Sequence, residues 1–333
     1  SLHFYRMDIL DYILFPFYAL LFNFIFSLSR KKMEDPVLKK YHKHGFWIKV
    51  FSSLCYSLFV LYNNAGDTIA LYYPEGLNVA NLILKNPLNI KWLFVAGKDF
   101  DTNLLPSNYL AGYFDTDSNF FVIKLVAIFS FFTFQKYLLI NLCFSMLSYS
   151  GVWRLYMFFY EQYPHMHKKL AIAIIYLPTF VFWSSGILKD PICTGMLGFF
   201  TYAFYNVLIK RKSVIKNMLI SIASAYIIII VKPYILFSFL PFYLYYLTFS
   251  NIGKIQNNFY KYLVVLMVFV LGIIGVYVVS NKLQDEMGAF AVDEIKSSVK
   301  TQQTNFINMG EDAASSFSLG VTFDGSNSSL LKM

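Results

Sequence analysis

The chain has 333 residues, of which 57% are apolar and only 14% charged, and its mean hydropathy is +0.51. Soluble domains carry about 25% charged residues, so a largely water-facing surface is excluded. The net charge of +9 is spread over the ends of apolar runs rather than gathered in one stripe. That spread sets topology and argues against a nucleic-acid-binding face.

Apolar runs of spanning character fall at 9–28, 46–62, 119–134, 136–159, 171–187, 191–209, 217–231, 234–249 and 262–280. A helix needs about 20 residues to cross the hydrocarbon core, so several of these borrow interfacial residues. No charged n-region and small-residue cleavage site precede Ile9, so the first run is expected to be a retained helix rather than a signal peptide. Tyr12, Trp47, Tyr62, Trp153, Tyr160 and Tyr234 stand near run ends, where aromatic belts form. Cys55, Cys143 and Cys193 lie within apolar segments without CxxC spacing and read as small buried hydrophobes.

Lysine and arginine set the orientation. Loop 29–45 carries Arg30, Lys31, Lys32, Lys39, Lys40 and Lys43, and loop 210–216 carries Lys210, Arg211, Lys212 and Lys216, so both are expected on the cytoplasmic side. Segments 161–170 (Lys168, Lys169) and 250–261 (Lys254, Lys261) lean the same way. Loop 63–118 sets Lys85, Lys91 and Lys98 against Asp67, Glu75, Asp99, Asp101, Asp115 and Asp117, and reads as outside. If every run spanned, the 210–216 cluster would fall on the wrong face. Treating 119–134 as a shallow or re-entrant helix, short and with Lys124 inside it, removes the conflict. The alternative places the 29–45 cluster on the wrong face.

The expected fold is therefore all-α: a polytopic transmembrane bundle of about eight spans plus one re-entrant or interfacial helix. Residues 1–280 form the membrane domain, with 63–118 as its outer loop. Residues 281–333, rich in Gly, Ser, Asn and acids, read as an extracytoplasmic loop or tail that was cut, so the native chain is expected to continue. No internal repeat is visible, which disfavours an inverted-repeat transporter.

Four residues stand out. Asp67 follows an outward-going helix in Asn63-Asn64-Ala65-Gly66-Asp67-Thr68 and suits a general base or cation ligand, or a plain helix cap. Asp190, before Pro191, fits a helix start, and Lys189 beside it forms an ionisable pair between two membrane helices. Lys232, before Pro233, suits a phosphate contact or simple snorkelling. Positive-inside topology puts all four on one face. His165-Met166-His167 has a weak metal spacing in a charged loop, and no Gly-rich phosphate loop or nucleophile elbow occurs.

An acid in the first large outer loop (Gly66-Asp67-Thr68), then a helix pair whose outer turn carries a second acid (Trp183-Ser184-Ser185-Gly186-Ile187-Leu188-Lys189-Asp190), resembles the GT-C superfamily of polytopic glycosyltransferases over roughly residues 46–250. The same stretch is similar to uncharacterised bacterial multi-pass membrane proteins. The resemblance implies transfer of a sugar from a polyprenyl-phosphate donor to a glycan or lipid acceptor, in a bacterial cytoplasmic membrane. It implies Asp67 as base or cation ligand, Asp190 as a second carboxylate, Lys189 and Lys232 on the donor phosphate, and a divalent cation (Mg or Mn) between the acids. Helix 9–28 and the re-entrant 119–134 depart from the family pattern. Two other classes remain: a polysaccharide polymerase or ligase, disfavoured by the scarcity of outward arginines, and a non-enzymatic transport or assembly protein, disfavoured by spans nearly free of charge apart from Lys124.

Overall fold

The computed structural model of the protein describes residues 9–63, 66–106, 114, 116–251 and five positions between 266 and 273. Its contacts separate a unit Ser1–Leu236 from a unit Phe237–Met333. Among the described residues there is no strand, and the elements are helices throughout.

The chain opens with α1 (Ile9–Lys31), closed by Arg30 and Lys31 at its carbonyl end, where cations offset the helix dipole. Asp35 starts α2 (Pro36–Tyr62): its carboxylate accepts the Val37 amide at 2.7 Å, and Pro36 occupies the first helical position. A π turn, Thr68–Tyr72, leads into α3 (Tyr73–Lys85), and short 3-10 turns fill Pro87–Leu93, Gly97–Asp99 and Thr102–Leu104. Next come α4 (Asp117–Phe132), α5 (Tyr137–Gln162) and α6 (His167–Ala171). After a π turn at Ile172–Tyr176 follow α7 (Pro178–Trp183) and α8 (Lys189–Tyr205), which is prolonged by a π turn through Lys210. Then follow α9 (Val214–Val231) and α10 (Pro233–Asn251).

Among the described residues, five helices are long and apolar enough to cross a membrane: α1, α2, α5, α8 with its π extension, and α9. They correspond to the runs 9–28, 46–62, 136–159, 191–209 and 217–231. Their outward faces are apolar, as hydrocarbon demands: Ile13, Phe17 and Phe24 of α1 and Ile215, Leu219 and Ile222 of α9 are all exposed. Of the other runs, 234–249 becomes α10, 262–280 lies mostly outside the described residues, and the tail 281–333 lies wholly outside them.

The run 171–187 is not one helix. Pro178 has no amide hydrogen and its ring pushes Leu177 into an extended conformation (φ −61°, ψ 112°), so the segment breaks into α6, a π turn, α7 and a bend. It nevertheless runs the length of α2. Tyr41, near the start of α2, meets His167 at 3.0 Å, while Thr68, just past its end, bonds the Ile187 carbonyl at 3.0 Å.

Side-chain contacts sort the junctions onto two ends. Tyr160 donates to Asp35, and Lys210 pairs with Glu161, so the basic junctions 31–36, 162–167 and 210–214 share one end. Asp67, Ser118, Asp190 and Lys232 belong to the other, as the contacts below establish. Helix α4 has 16 residues, short of a full crossing. It starts at the Asp67 end beside Lys189, and the turn after it, with Phe134 and Gln135 at positive φ, receives the Tyr73 hydroxyl on the Gln135 carbonyl at 2.7 Å.

The tightest crossing joins α5 to α8. A Cβ on Gly151 would lie 1.8 Å from the Gly195 carbonyl oxygen, and one on Gly198 would lie 1.9 Å from that of Gly151. Only glycine lets two membrane helices meet backbone to backbone in this way.

Candidate functional site

The Asp67 end of α2 is organised around one peptide, Ile187. Its amide donates to Asn141 Oδ1 at 2.8 Å and its carbonyl accepts from Thr68 Oγ1 at 3.0 Å. Since the only hydroxyl proton of Thr68 is spent there, Tyr56 must be the donor in its 2.8 Å contact with Thr68. Asn141 in turn donates to Ser57 Oγ at 2.9 Å, and Ser57 donates to the Ser53 carbonyl at 2.7 Å. Both polar backbone atoms of Ile187, in this non-helical turn, therefore find a partner inside the bundle, as backbone at membrane depth requires. Gly186 lets the turn press on the Tyr56 ring, where a Cβ would come within 1.8 Å of a ring carbon.

This knot fixes the four residues singled out from the sequence. Asp67 is exposed, immediately before Thr68, and its own side chain makes no capping bond to the π turn that follows. The two residues after Leu188, Lys189 and Asp190, open α8. The Lys189 ammonium donates to Ser118 Oγ at 2.9 Å, tying α8 to the start of α4. Lys232, at the junction of α9 and α10, donates to Asp190 Oδ1 at 2.6 Å. Burial opposes its charge, but the hydrogen bond and charge of Asp190 outweigh that, and its pKa is raised. Asp67 and Asp190 both lie within electrostatic reach of the Tyr56 hydroxyl, and Lys189, Asp190 and Lys232 all act on the Cys193 thiol. The sequence-chosen residues thus gather at one end of the bundle.

Their roles within that end differ from the simplest expectation. Asp190 is half exposed and shares its carboxylate with Lys232, while Lys189 precedes it in the chain. A carboxylate already answering an ammonium is a poor divalent-cation ligand. Among the described residues no three His, Cys, Asp or Glu side chains gather as a metal cage requires.

Other residues settle into structural parts. Lys124, inside α4, donates to the Val95 carbonyl and stacks over the Phe120 ring. Trp153 is buried, its ring edge-on to His42 with centroids 4.6 Å apart, so it belongs to the core and not to an interfacial belt. An apolar groove of about 460 Å³ lies between α2 and the broken segment, lined by Ile48, Phe51, Cys55, Tyr176, Phe182 and Trp183 among others.

Sequence reasoning missed Lys49. It lies inside the run 46–62, yet its side chain is only 4% exposed and reaches across to the end of α7. The signal was available as a lone lysine amid apolar neighbours. Asn141 and Tyr56 were missed as well, because a single amide or phenol in an apolar run has no spacing signature.

Comparison with protein-family models, curated proteins and solved structures finds no match to this chain.

Proposed function

We propose that the protein is a membrane glycosyltransferase that moves a sugar from a polyprenyl-phosphate donor to a glycan or lipid acceptor at the outer face of a bacterial cytoplasmic membrane. The observation that supports this reading most is the gathering of an exposed carboxylate, Asp67, with two ammonium groups, Lys189 and Lys232, around the Tyr56–Thr68–Ile187 chain. On the positive-inside reading, the basic junctions at the opposite end face the cytoplasm, which puts this cluster outside.

In the proposed reaction, the acceptor hydroxyl oxygen attacks the anomeric carbon as Asp67 takes its proton. The bond from that carbon to the phosphate oxygen breaks, and polyprenyl phosphate leaves with the electron pair. Lys189 and Lys232 stabilise the phosphate anion as its charge grows. Asp190 is the counter-ion that orients Lys232, and no step is routed through a metal. The groove beside Phe182 and Trp183, whose rings pack on Tyr56 at centroid distances of 5.5 and 6.3 Å, would take the prenyl chain from the lipid side.

A transporter would need an ionisable group facing a path through the bundle. Lys49 is the buried candidate, but its donors are committed to carbonyl and hydroxyl oxygens.

The test is sugar transfer from a polyprenyl-phosphate donor by Asp67→Asn and by Lys232→Met in reconstituted membranes. A fall of about 100-fold or more is expected for Asp67→Asn, the usual scale of general base catalysis. Transfer at the unmodified protein's rate by Asp67→Asn would sink the base role.

A further inference from the structure

Lys49 is the central residue of α2, about 20 Å from either end of that helix at 1.5 Å per residue. Placing an ammonium there is costly in a bilayer, and nothing in the proposed transfer reaction uses it. Its partners are specific. Nζ donates to the Ser184 carbonyl at 2.6 Å, to Ser184 Oγ, and at a longer 3.4 Å to the Val181 carbonyl. Ser184 gives its own proton to the Phe180 carbonyl, so its oxygen is an acceptor toward the lysine. Three acceptor oxygens thus face the Lys49 amine, two of them closely.

The acceptors lie at the carbonyl end of α7, where the helix stops and its last C=O groups have no partner within the helix. The partial negative charge there complements an ammonium. On its other side, Lys49 is held by α5: Ser145 donates to the Lys49 carbonyl at 3.2 Å. The bend from Ser184 to Leu188 is therefore gripped twice, by Lys49 at Ser184 and by Asn141 and Thr68 at Ile187. Lys189 and Asp190 are the next two residues of the chain after that bend.

We infer that Lys49 is a positioning residue: its buried amine holds the end of α7 and so fixes the bend that sets Lys189 and Asp190 at the Asp67 end. A methionine would fill the same space and seal the same apolar core. What the lysine adds is a set of donors pointed at one helix end. The effect on catalysis rests on the glycosyltransferase reading, whereas the effect on the position of the bend does not.

Hydrogen exchange read by mass spectrometry on the full chain in lipid nanodiscs tests this directly. In Lys49→Met, the amides of residues 184–190 should exchange about tenfold faster or more, because buried carbonyls lose their donor. The amides of α5 and α8 around Gly151 and Gly195 should keep their rates. Unchanged exchange at 184–190, or equal acceleration throughout α5 and α8, overturns the assignment. Should Lys49→Met fail to insert, Ser184→Ala serves. It removes one of the three acceptors, and a smaller acceleration confined to the bend is expected; its absence overturns the assignment equally. With a transfer assay in hand, Lys49→Met should lower kcat by about tenfold with KM for the donor little changed. Altered exchange alongside an unmodified protein that transfers no sugar would sink the transferase reading and leave the positioning role standing.

Discussion

Replacing Asn141 by Leu removes a polar side chain of nearly the same size from a completely buried site on α5. Two bonds go with it: the 2.8 Å bond from the Ile187 amide and the 2.9 Å bond to Ser57. The losses are unequal. Ser57 keeps the Ser53 carbonyl as acceptor of its own proton, so it loses little, on the order of the 0.6 kcal/mol averaged by interhelical bonds in membranes. The Ile187 amide keeps no partner, and stranding a buried donor costs about 1–3 kcal/mol. The expected destabilisation is therefore about 1–3 kcal/mol, most of it from a single amide. Reversible unfolding in mixed micelles, followed by helicity and by Trp fluorescence, measures it. A double-mutant cycle with Ser57→Ala separates the two bonds, and the coupling term should be the smaller share. If Asn141→Leu unfolds within about 0.5 kcal/mol of the unmodified protein, the bend is held by something other than the Ile187 peptide, and the account of the site's framework fails.

Gly186→Ala should destabilise by about 1–3 kcal/mol through collision with the Tyr56 ring, and Tyr56→Leu should relieve part of that penalty when the two are combined in the same unfolding assay. Gly151→Leu should separate α5 from α8 and lower the thermal midpoint more than Leu at the exposed Gly-free face of α9 does, read by thermofluor in detergent. The Tyr160 hydroxyl, with the Val37 and Leu38 amides, lowers the Asp35 pKa, so this contact adds stability above the ordinary carboxylate range near about 4 that is lost as pH falls through the lowered folded value. Tyr160→Phe should flatten that acid limb in a melting-temperature-against-pH profile. Conversely, the pairing of Lys232 with Asp190 raises the lysine's pKa. Its stabilisation is complete below about 10.4 and disappears as pH climbs through the raised folded value, so Asp190→Asn should flatten the alkaline limb.

The membrane character was legible because long apolar runs recur along the chain, five of which form helices long and apolar enough to cross a membrane among the described residues, and the sharing of one end by the basic junctions followed from counting Lys and Arg. The 16-residue α4 falls on the short run 119–134 that charge parity singled out, and it begins at the Asp67 end. The break at Pro178 was also written in the sequence, yet a hydropathy window averages over it. What local patterns conceal is pairing between distant residues. Lys49 contacts Ser184 across 135 positions and Asn141 contacts Ser57 across 84, and neither has a periodic or spaced partner to announce it. The pairing of Lys232 with Asp190 was hidden likewise, so a cation chosen for phosphate proved to have a carboxylate beside it already.

The glycine contact between α5 and α8 has a mechanical consequence. Where side chains mesh, a helix can slide by repacking rotamers; where a carbonyl sits against a bare α-carbon, no rotamer exists to absorb the slip. The two helices therefore behave as one girder. Asn141 rides at the head of one and Asp190 at the head of the other, so their spacing stays constant under any motion that preserves the crossing. Spin labels placed on the outward sides of these two helices should report a single narrow distance, whatever the lipid or substrate added. Any breadth in the distribution should come instead from labels on α7.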